Sequence, residues 1–468
     1  MPPKRNYKKK DKEENEKEKP KNTNQSRKKG NQNQNNKNQN QNKNQNQNKN
    51  QKPIRKPNEK RKQIGEDDGS FESNVILKST SGIFEIEGKY TNAIVFTDQI
   101  EQGAFEQIQL NCNNIAFKGC KIRVMPDVHG GASSVIGFTS TMSDYIIPNV
   151  IGVDIGCGVL SIDLGPVEFE FSHFDTFIHE KIPAGFNIRD TAVTKKKLQK
   201  IMKTFEKETN IEDFLHDVKS IEKKISKKNK STTMKSIGTL GGGNHFIELE
   251  KEDGSKNIWL TIHCGSRNFG LQVASYHQRK AKSLVGDKKG LEYLEGDHAK
   301  EYLEDMKVAQ KYAKLNRRTI AEQIISEFFQ MEIEKLDIVE SIHNYIDFED
   351  NIIRKGAISA RKGERLVIPF NMAAGLIIGI GKGNQEYNCS GPHGSGRLLS
   401  RTQAKSQIKM SDYQKVMNDS NVFSSCVVLS TIDESPFAYK DTDTILKFIE
   451  PTVEIEKRLK PIYNFKAK

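Results

Sequence analysis

Several short apolar runs read as strands, and two of them, "GVLSIDLG" and "NIWLTIHCG", show the β-branched alternation of a strand. The runs "NAIVF" (92–96), "GVLSIDLG" (158–165), "NIWLTIHCG" (257–265), "ESIHNYI" (340–346), "RLVIPF" (365–370) and "GLIIGIG" (375–381) predict strands. Helical spacing marks "IEQGAFEQIQLNCN" (100–113), the charge-rich stretches 195–229 and 298–335, and a last helix through "DTDTILKFIEPTVEIEKRL" broken at Pro451. Strands and helices intersperse without a regular βαβ period or an internal repeat. This predicts an α/β (mixed α+β) fold, a single large domain over 69–468.

The first 68 residues follow neither period. Residues 1–20 mix Lys with Glu, and 31–51 are almost wholly Asn, Gln and Lys. Such a segment cannot bury enough apolar surface to offset its ordering entropy, so a disordered basic extension is expected there. Composition changes one inference. The net charge is +13 over 468 residues, yet residues 1–65 hold 21 Lys and Arg against 6 Asp and Glu, and the remainder hold 53 against 55. The body is therefore nearly neutral, and any electropositive site on it must be a local cluster.

No apolar run reaches 18 residues, and the N-terminus lacks the apolar segment of a secretory signal, so no membrane association is expected. Six scattered cysteines without paired spacing suit thiols or metal ligands in an intracellular protein, cytoplasmic, nuclear or both. The basic "KRKQ" (60–63) resembles a nuclear signal, a pattern with many chance matches.

Chemistry concentrates in glycine-flanked stretches at strand ends. "IGVDIGCGV" (151–159) offers Asp154 and Cys157, "GTLGGGNHFIELE" (238–250) offers Asn244, His245 and Glu248, and "TIHCGSRNFG" (261–270) offers His263 and Arg267. "SIHNY" (341–345) offers His343 and Asn344, and "CSGPHGSGR" (389–397) places His393 among three glycines beside Arg397. One such histidine is commonly structural. Three histidines, an aspartate and a cysteine are too many ligands for one closed tetrahedral zinc unless one bridges, and the mixture suits Mn²⁺, Co²⁺ or Zn²⁺. Two-ion sites are typical of phosphoryl transfer.

The ordered motifs "MPDVHGG…VIGFT" (125–139), "PNVIGVDIGCGV" (148–159), "LGGGNHFIELE" (240–250), "IHCGSR" (262–267), "IHN" (342–344), "RKGA" (354–357), "HGSGRLLSR" (393–401) and "LKPIYNFKAK" (459–468) together resemble the RtcB-type RNA ligases. The resemblance covers roughly residues 75–468. It implies two Mn²⁺ ions, GTP as energy source, and joining of RNA 2′,3′-cyclic phosphate or 3′-phosphate ends to 5′-hydroxyl ends, as in splicing of tRNA halves or RNA repair. A guanylylated histidine would pass GMP to the 3′-phosphate, and the 5′-hydroxyl would then displace it. Activator or ligase-complex subunits would be further partners.

Carried over motif by motif, Cys157 would bridge the ions, with Asp154 and His263 completing one site and His245 and His343 the other. His393 would be the guanylylated residue, with Asp127 the acceptor that orients its second ring nitrogen. Nucleotide contacts would come from Asn244, His245, Phe246, Ile247, Glu248, His343, Asn344, Pro369, Phe370, Asn371, Met372, His393, Gly394, Ser395, Gly396 and Lys466. Arg267, Lys355, Arg397 and Arg401 would line the RNA groove.

Three stretches depart from the family pattern. "IPFNMAAGL" (368–376) has Phe370, Asn371 and Ala373 where Gly, Ser/Thr and Gly are usual, and Leu376 where a serine is common. "DVHGGAS" stands for "DVHxGxG", and the chain ends in "KAK" rather than "KG". These changes bear on GTP affinity and nucleotide choice. Capping of 3′-phosphates without sealing is thus one alternative, and a non-catalytic RNA-binding subunit on the same fold is another.

Overall fold

The computed structural model describes residues 78–80, 83–225 and 232–467. The extension expected over 1–68 lies outside them. The described residues all fall within the unit Glu72–Lys468, a mixed α/β domain.

Two seven-stranded sheets organise it. The first runs Lys78–Thr80, Ile83–Glu87, Asn92–Val95, Ile122–His129, Ile136–Thr141, Ile352–Lys355, Asn344–Asp347 in spatial order. The second runs Arg365–Asn371, Gly375–Gly381, Val453–Lys466, Phe246–Glu252, Ile258–Cys264, Gly158–Asp163, Asp337–Ile342. A two-stranded ribbon pairs Ala357–Ser359 with Ser390–Pro392.

The helix Gly296–Glu327 serves both sheets. Its interior is rich in Ala, Glu, Lys, Gln and Arg and free of Gly and Pro, and its 32 residues reach about 48 Å. Met306, Ala309 and Tyr312 enter the core beneath the first sheet, and Ile320, Ala321 and Ile324 enter the core beneath the second.

Most expected elements form, with three differences. The last helix ends at Ile449, and Val453–Lys466 is a 14-residue strand at the centre of the second sheet. Val453, Leu459, Pro461, Tyr463 and Phe465 are buried at odd positions, a strand period hidden by the charged residues between them. The run 340–346 divides at His343 into strands of different sheets. The stretch 195–229 contains two helices, Lys195–Lys203 and Ile211–Ile225, and its end lies outside the described residues.

Candidate active site and metal centre

Register explains why distant motifs meet. Phe246–Glu252, Ile258–Cys264, Gly158–Asp163 and Asp337–Ile342 are successive antiparallel neighbours, so the start of one lies beside the end of the next. His245 precedes the first strand, His263 is the next-to-last residue of the second, Cys157 precedes the third and His343 follows the fourth. All four reach the same sheet edge. The final strand pairs Lys466 with Phe246 and Asn464 with Glu248, delivering the near-terminal lysine there too.

The ligand atoms form two groups sharing one sulfur. Cys157, His263 and His343 make one, and Asp154, Cys157 and His245 the other, with the atoms of each group within 4.8 Å of one another. Cys157 Sγ lies 3.2 Å from His263 Nε2 and 3.4 Å from His245 Nε2. His245 Nε2 is 2.9 Å from Asp154 Oδ2, and His263 Nε2 is 3.3 Å from His343 Nε2. This corrects the expected partition, which joined Asp154 to His263 and His245 to His343. Motif order along the chain does not encode which strand end faces which.

The donor set fits two cations. His245 Nδ1 donates to the Leu240 carbonyl at 2.8 Å and His263 Nδ1 to the Asn244 carbonyl at 3.1 Å, which turns each Nε2 toward Cys157. Burial lowers His245, but the neighbouring thiols and the Asp154 bond outweigh it and hold this imidazole well above the usual range, so its Nε2 proton, shared with Asp154, must leave when a cation binds. Burial and neighbouring imidazoles hold His263 and His343 well below the usual histidine range, in the neutral form that binds metal. Burial raises Asp154, but the His245 bond and charge outweigh it and bring the carboxyl to about 2. Burial, then the Asp154 charge, pushes the Cys157 thiol up to about 12. Positive charge at this point is what would draw off that proton.

The supporting layer escaped the sequence analysis. Asn316 accepts the Gly238 and Thr239 N–H groups and donates to the Gly265 carbonyl. Arg317, fully buried, donates to the Gly156 carbonyl at 2.6 Å and the Cys264 carbonyl at 2.8 Å. Two neighbours on one helix thus hold three ligand-bearing segments. Their local sequence gives no signal, because polar residues recur throughout this part of the helix, Arg318, Thr319, Glu322 and Gln323 among them. Gly265 packs against Asp154 so closely that a Cβ there would overlap the carboxylate.

His393 follows the two-stranded ribbon. Its Nδ1 is 2.6 Å and its backbone N–H 3.0 Å from Asp127 Oδ2, and its ring lies 4.8 Å, centre to centre, from His343. Asp127 is fully buried. Gly396 has φ +71° and abuts the Asp127 carbonyl, leaving no room for a side chain. Ser395 Oγ is buried without a partner and borders the cleft.

A cleft lies over these residues, with about 1110 Å³ of empty space when the open solvent at its mouth is included. Asn244, Phe246, Glu248, Asn344, Pro369, Phe370, Asn371, Met372, Gly394, Ser395, Gly396 and Lys466 line it. His245 and Ile247 do not: His245 is turned to Asp154 and Cys157, and the Ile247 side chain points into the core beneath the second sheet because its strand neighbour Phe246 faces the cleft. Asn371 Oδ1 is engaged in its own turn, accepting the N–H groups of Ala373 and Ala374. Burial raises Glu248 to about 7 against the Lys466 charge and a 2.6 Å bond from Asn464.

The four expected RNA contacts divide. Arg397 and Arg401 line the cleft, but both pair with Glu434, which also accepts from Tyr439 and lies 3.5 Å from Lys466. Arg267 is spent on Thr239 Oγ1 and the Gly185 carbonyl. Lys355 is buried, and its Nζ donates to the carbonyls of Ala132, Ser134 and Asn149 at 2.7, 3.0 and 3.2 Å. An ammonium with three internal acceptors is a structural tie, not a phosphate contact. Glu434, Tyr439 and His129 line the cleft and were not singled out from sequence.

Among the described residues no helix is long and apolar enough to cross a membrane. Residues 109–467 match the family model of tRNA-splicing ligase RtcB. The chain is similar to the RNA-splicing ligase RtcB of Escherichia coli K12, 29% identical over 405 residues covering 79% of this chain and 95% of that protein. It is 28% identical to the tRNA-splicing ligase RtcB of Nanoarchaeum equitans, over 69% of this chain and 83% of that protein. With the protein of that name from Aeropyrum pernix it shares 26% identity, over 75% and 90% respectively. A match across three quarters of the chain, containing every residue of the two ligand groups and His393, makes this chain a member of the RtcB family.

Proposed function

We propose that the protein is a GTP- and Mn²⁺-dependent RNA ligase that joins a 3′-phosphate or 2′,3′-cyclic phosphate end to a 5′-hydroxyl end through guanylylated His393. The observation that carries this reading is the bond between His393 and Asp127 beside two ligand groups that share Cys157. The relatives' names, RNA- and tRNA-splicing ligases, support RNA as the substrate, with tRNA halves as one instance. The six cysteines form no disulfide, in keeping with an intracellular location.

The protein's own groups do the following. Asp127 accepts Nδ1–H of His393, which leaves Nε2 unprotonated to attack the α-phosphate of GTP and expel pyrophosphate. The phosphoramidate then surrenders GMP to an oxygen of the RNA 3′-phosphate, and His393 is regenerated. In the last step the 5′-hydroxyl forms the phosphodiester and GMP leaves. Ser395 Oγ, buried without a partner beside the cleft, would meet the anionic groups, and Glu248 and Lys466, which line the cleft, would read the base. Two cations held by Asp154, Cys157, His245, His263 and His343 would supply positive charge against the repulsion between triphosphate and RNA phosphate.

Incubation with radiolabelled GTP and Mn²⁺ tests the reading. A covalent label absent from His393→Ala is the expected result, and a label that survives this change overturns the assignment. Products from a 3′-phosphate RNA and a 5′-hydroxyl RNA then separate sealing from capping alone.

A further inference from the structure

The cleft holds another imidazole that none of these steps uses. His129 ends the strand Ile122–His129, is partly exposed, and lines the cleft. Its Nδ1 lies 2.9 Å from the main-chain oxygen of Asp127. A carbonyl oxygen only accepts, so Nδ1 carries the hydrogen and Nε2 keeps the lone pair. The Arg397 N–H lies 3.4 Å from the same Nδ1 and would favour the opposite tautomer, but the shorter carbonyl contact decides. Nε2 has no partner among the described residues and is not among the buried unpaired atoms. Asp127 therefore aims two imidazoles at one cleft, His393 through its carboxylate and His129 through its backbone. Burial, outweighing the bond to the Asp127 carbonyl, brings His129 down to about 4, which keeps it neutral near pH 7.

The steps differ in their need for a base. His393 attacks GTP through a nitrogen that is already unprotonated. The RNA 3′-phosphate is already ionised when it attacks the guanylate. A 5′-hydroxyl, by contrast, ionises far above neutral pH and must lose its proton as it attacks phosphorus.

We propose that His129 Nε2 is the proton acceptor for the RNA 5′-hydroxyl in the sealing step, an assignment that rests on the ligase reading above. The bond from the 5′-oxygen to the activated phosphorus forms. The bond from that phosphorus to the bridging oxygen breaks, and its electron pair leaves with GMP. The hydroxyl proton passes to His129 Nε2 and then to solvent.

The test uses the full chain with GTP and Mn²⁺, a 3′-phosphate RNA, and acceptor strands ending in a 5′-hydroxyl or a 5′-thiol. His129→Ala and His129→Asn are expected to label with GTP near the wild-type rate and to accumulate guanylylated RNA. Sealing of the hydroxyl strand falls ~100-fold or more, the range of a lost general base. A thiol ionises near pH ~8.5 and needs little help, so on the thiol strand the defect shrinks below about tenfold. Equal losses on both strands, sealing within about threefold of wild type, or labelling lost as fully as sealing overturns the assignment. A wild-type chain that seals nothing removes the ligase reading and this role together, whereas a sealing wild type with an equally active variant removes only the role of His129.

Discussion

The carboxylate of Asp127 binds both the ring Nδ1 and the backbone N–H of His393, at 2.6 and 3.0 Å through a single oxygen. Its other oxygen, Oδ1, is buried without a partner. The residue thus sets both the position and the tautomer of the histidine. Asp127→Asn keeps the shape but can turn a donor toward Nδ1, which then presents the wrong nitrogen. The expected outcome is a guanylylation rate ~10²-fold lower or worse, with GTP affinity changed far less, measured by single-turnover labelling against equilibrium binding. An unchanged rate removes Asp127 from this role.

Cys157 is the one ligand common to both groups. Cys157→Ala is expected to lower bound Mn²⁺ for both sites together and to abolish ligation at every Mn²⁺ concentration. Asp154→Ala or His343→Ala touches one group and is expected to leave one ion bound, with partial recovery of activity at high Mn²⁺. Metal content by mass spectrometry or electron paramagnetic resonance separates the cases. Two ions retained in Cys157→Ala would defeat the bridging assignment.

Glu434 collects Arg397, Arg401, Tyr439 and Lys466 around one buried carboxylate. Burial raises its pKa, but the surrounding positive charges, Lys466 first, outweigh that and hold it near 2 rather than 4.5. A depressed carboxylate contributes stability that is present above its unfolded value and lost as pH falls through its folded value. A shift of this size corresponds to ~3 kcal/mol. Glu434→Gln is therefore expected to melt well below wild type at pH 7, with the gap closing between about pH 4.5 and 2. Thermal unfolding across that range checks it; a gap constant with pH would mean that the carboxylate charge contributes nothing.

Lys355 is a phosphate contact by motif and an internal tie by structure, and the two roles predict different losses. Lys355→Met removes the donor from three backbone carbonyls and is expected to cost at least ~3 kcal/mol of stability. The salt dependence of RNA binding should stay as in wild type, because no phosphate contact is lost. A slope of log affinity against log salt reduced by about 1, with stability unchanged, would restore the RNA role.

Local pattern made several elements legible, the strands at 258–264 and 375–381 and the helix at 102–112 among them, because their period lies within a few residues. It failed at Val453–Lys466, where Glu, Lys and Arg between the buried positions mimic an amphipathic helix and only pairing with both neighbours in the sheet makes a strand. Asn316 and Arg317 were invisible for a related reason: the backbone groups of the ligand-bearing segments that they hold lie 50 or more residues away in sequence.

By itself the sequence determined the inventory of the site: which residues carry thiol, imidazole and carboxylate, and that each stands beside glycine or a strand end. Residue type is a local property, so motifs preserve it. Tertiary structure alone decided the pairings. Antiparallel register placed His245 with Asp154 and His263 with His343, turned Lys355 inward, and set His129 and His393 on the same aspartate. Those relations depend on which strand ends share an edge, and that is a property of the whole folded chain.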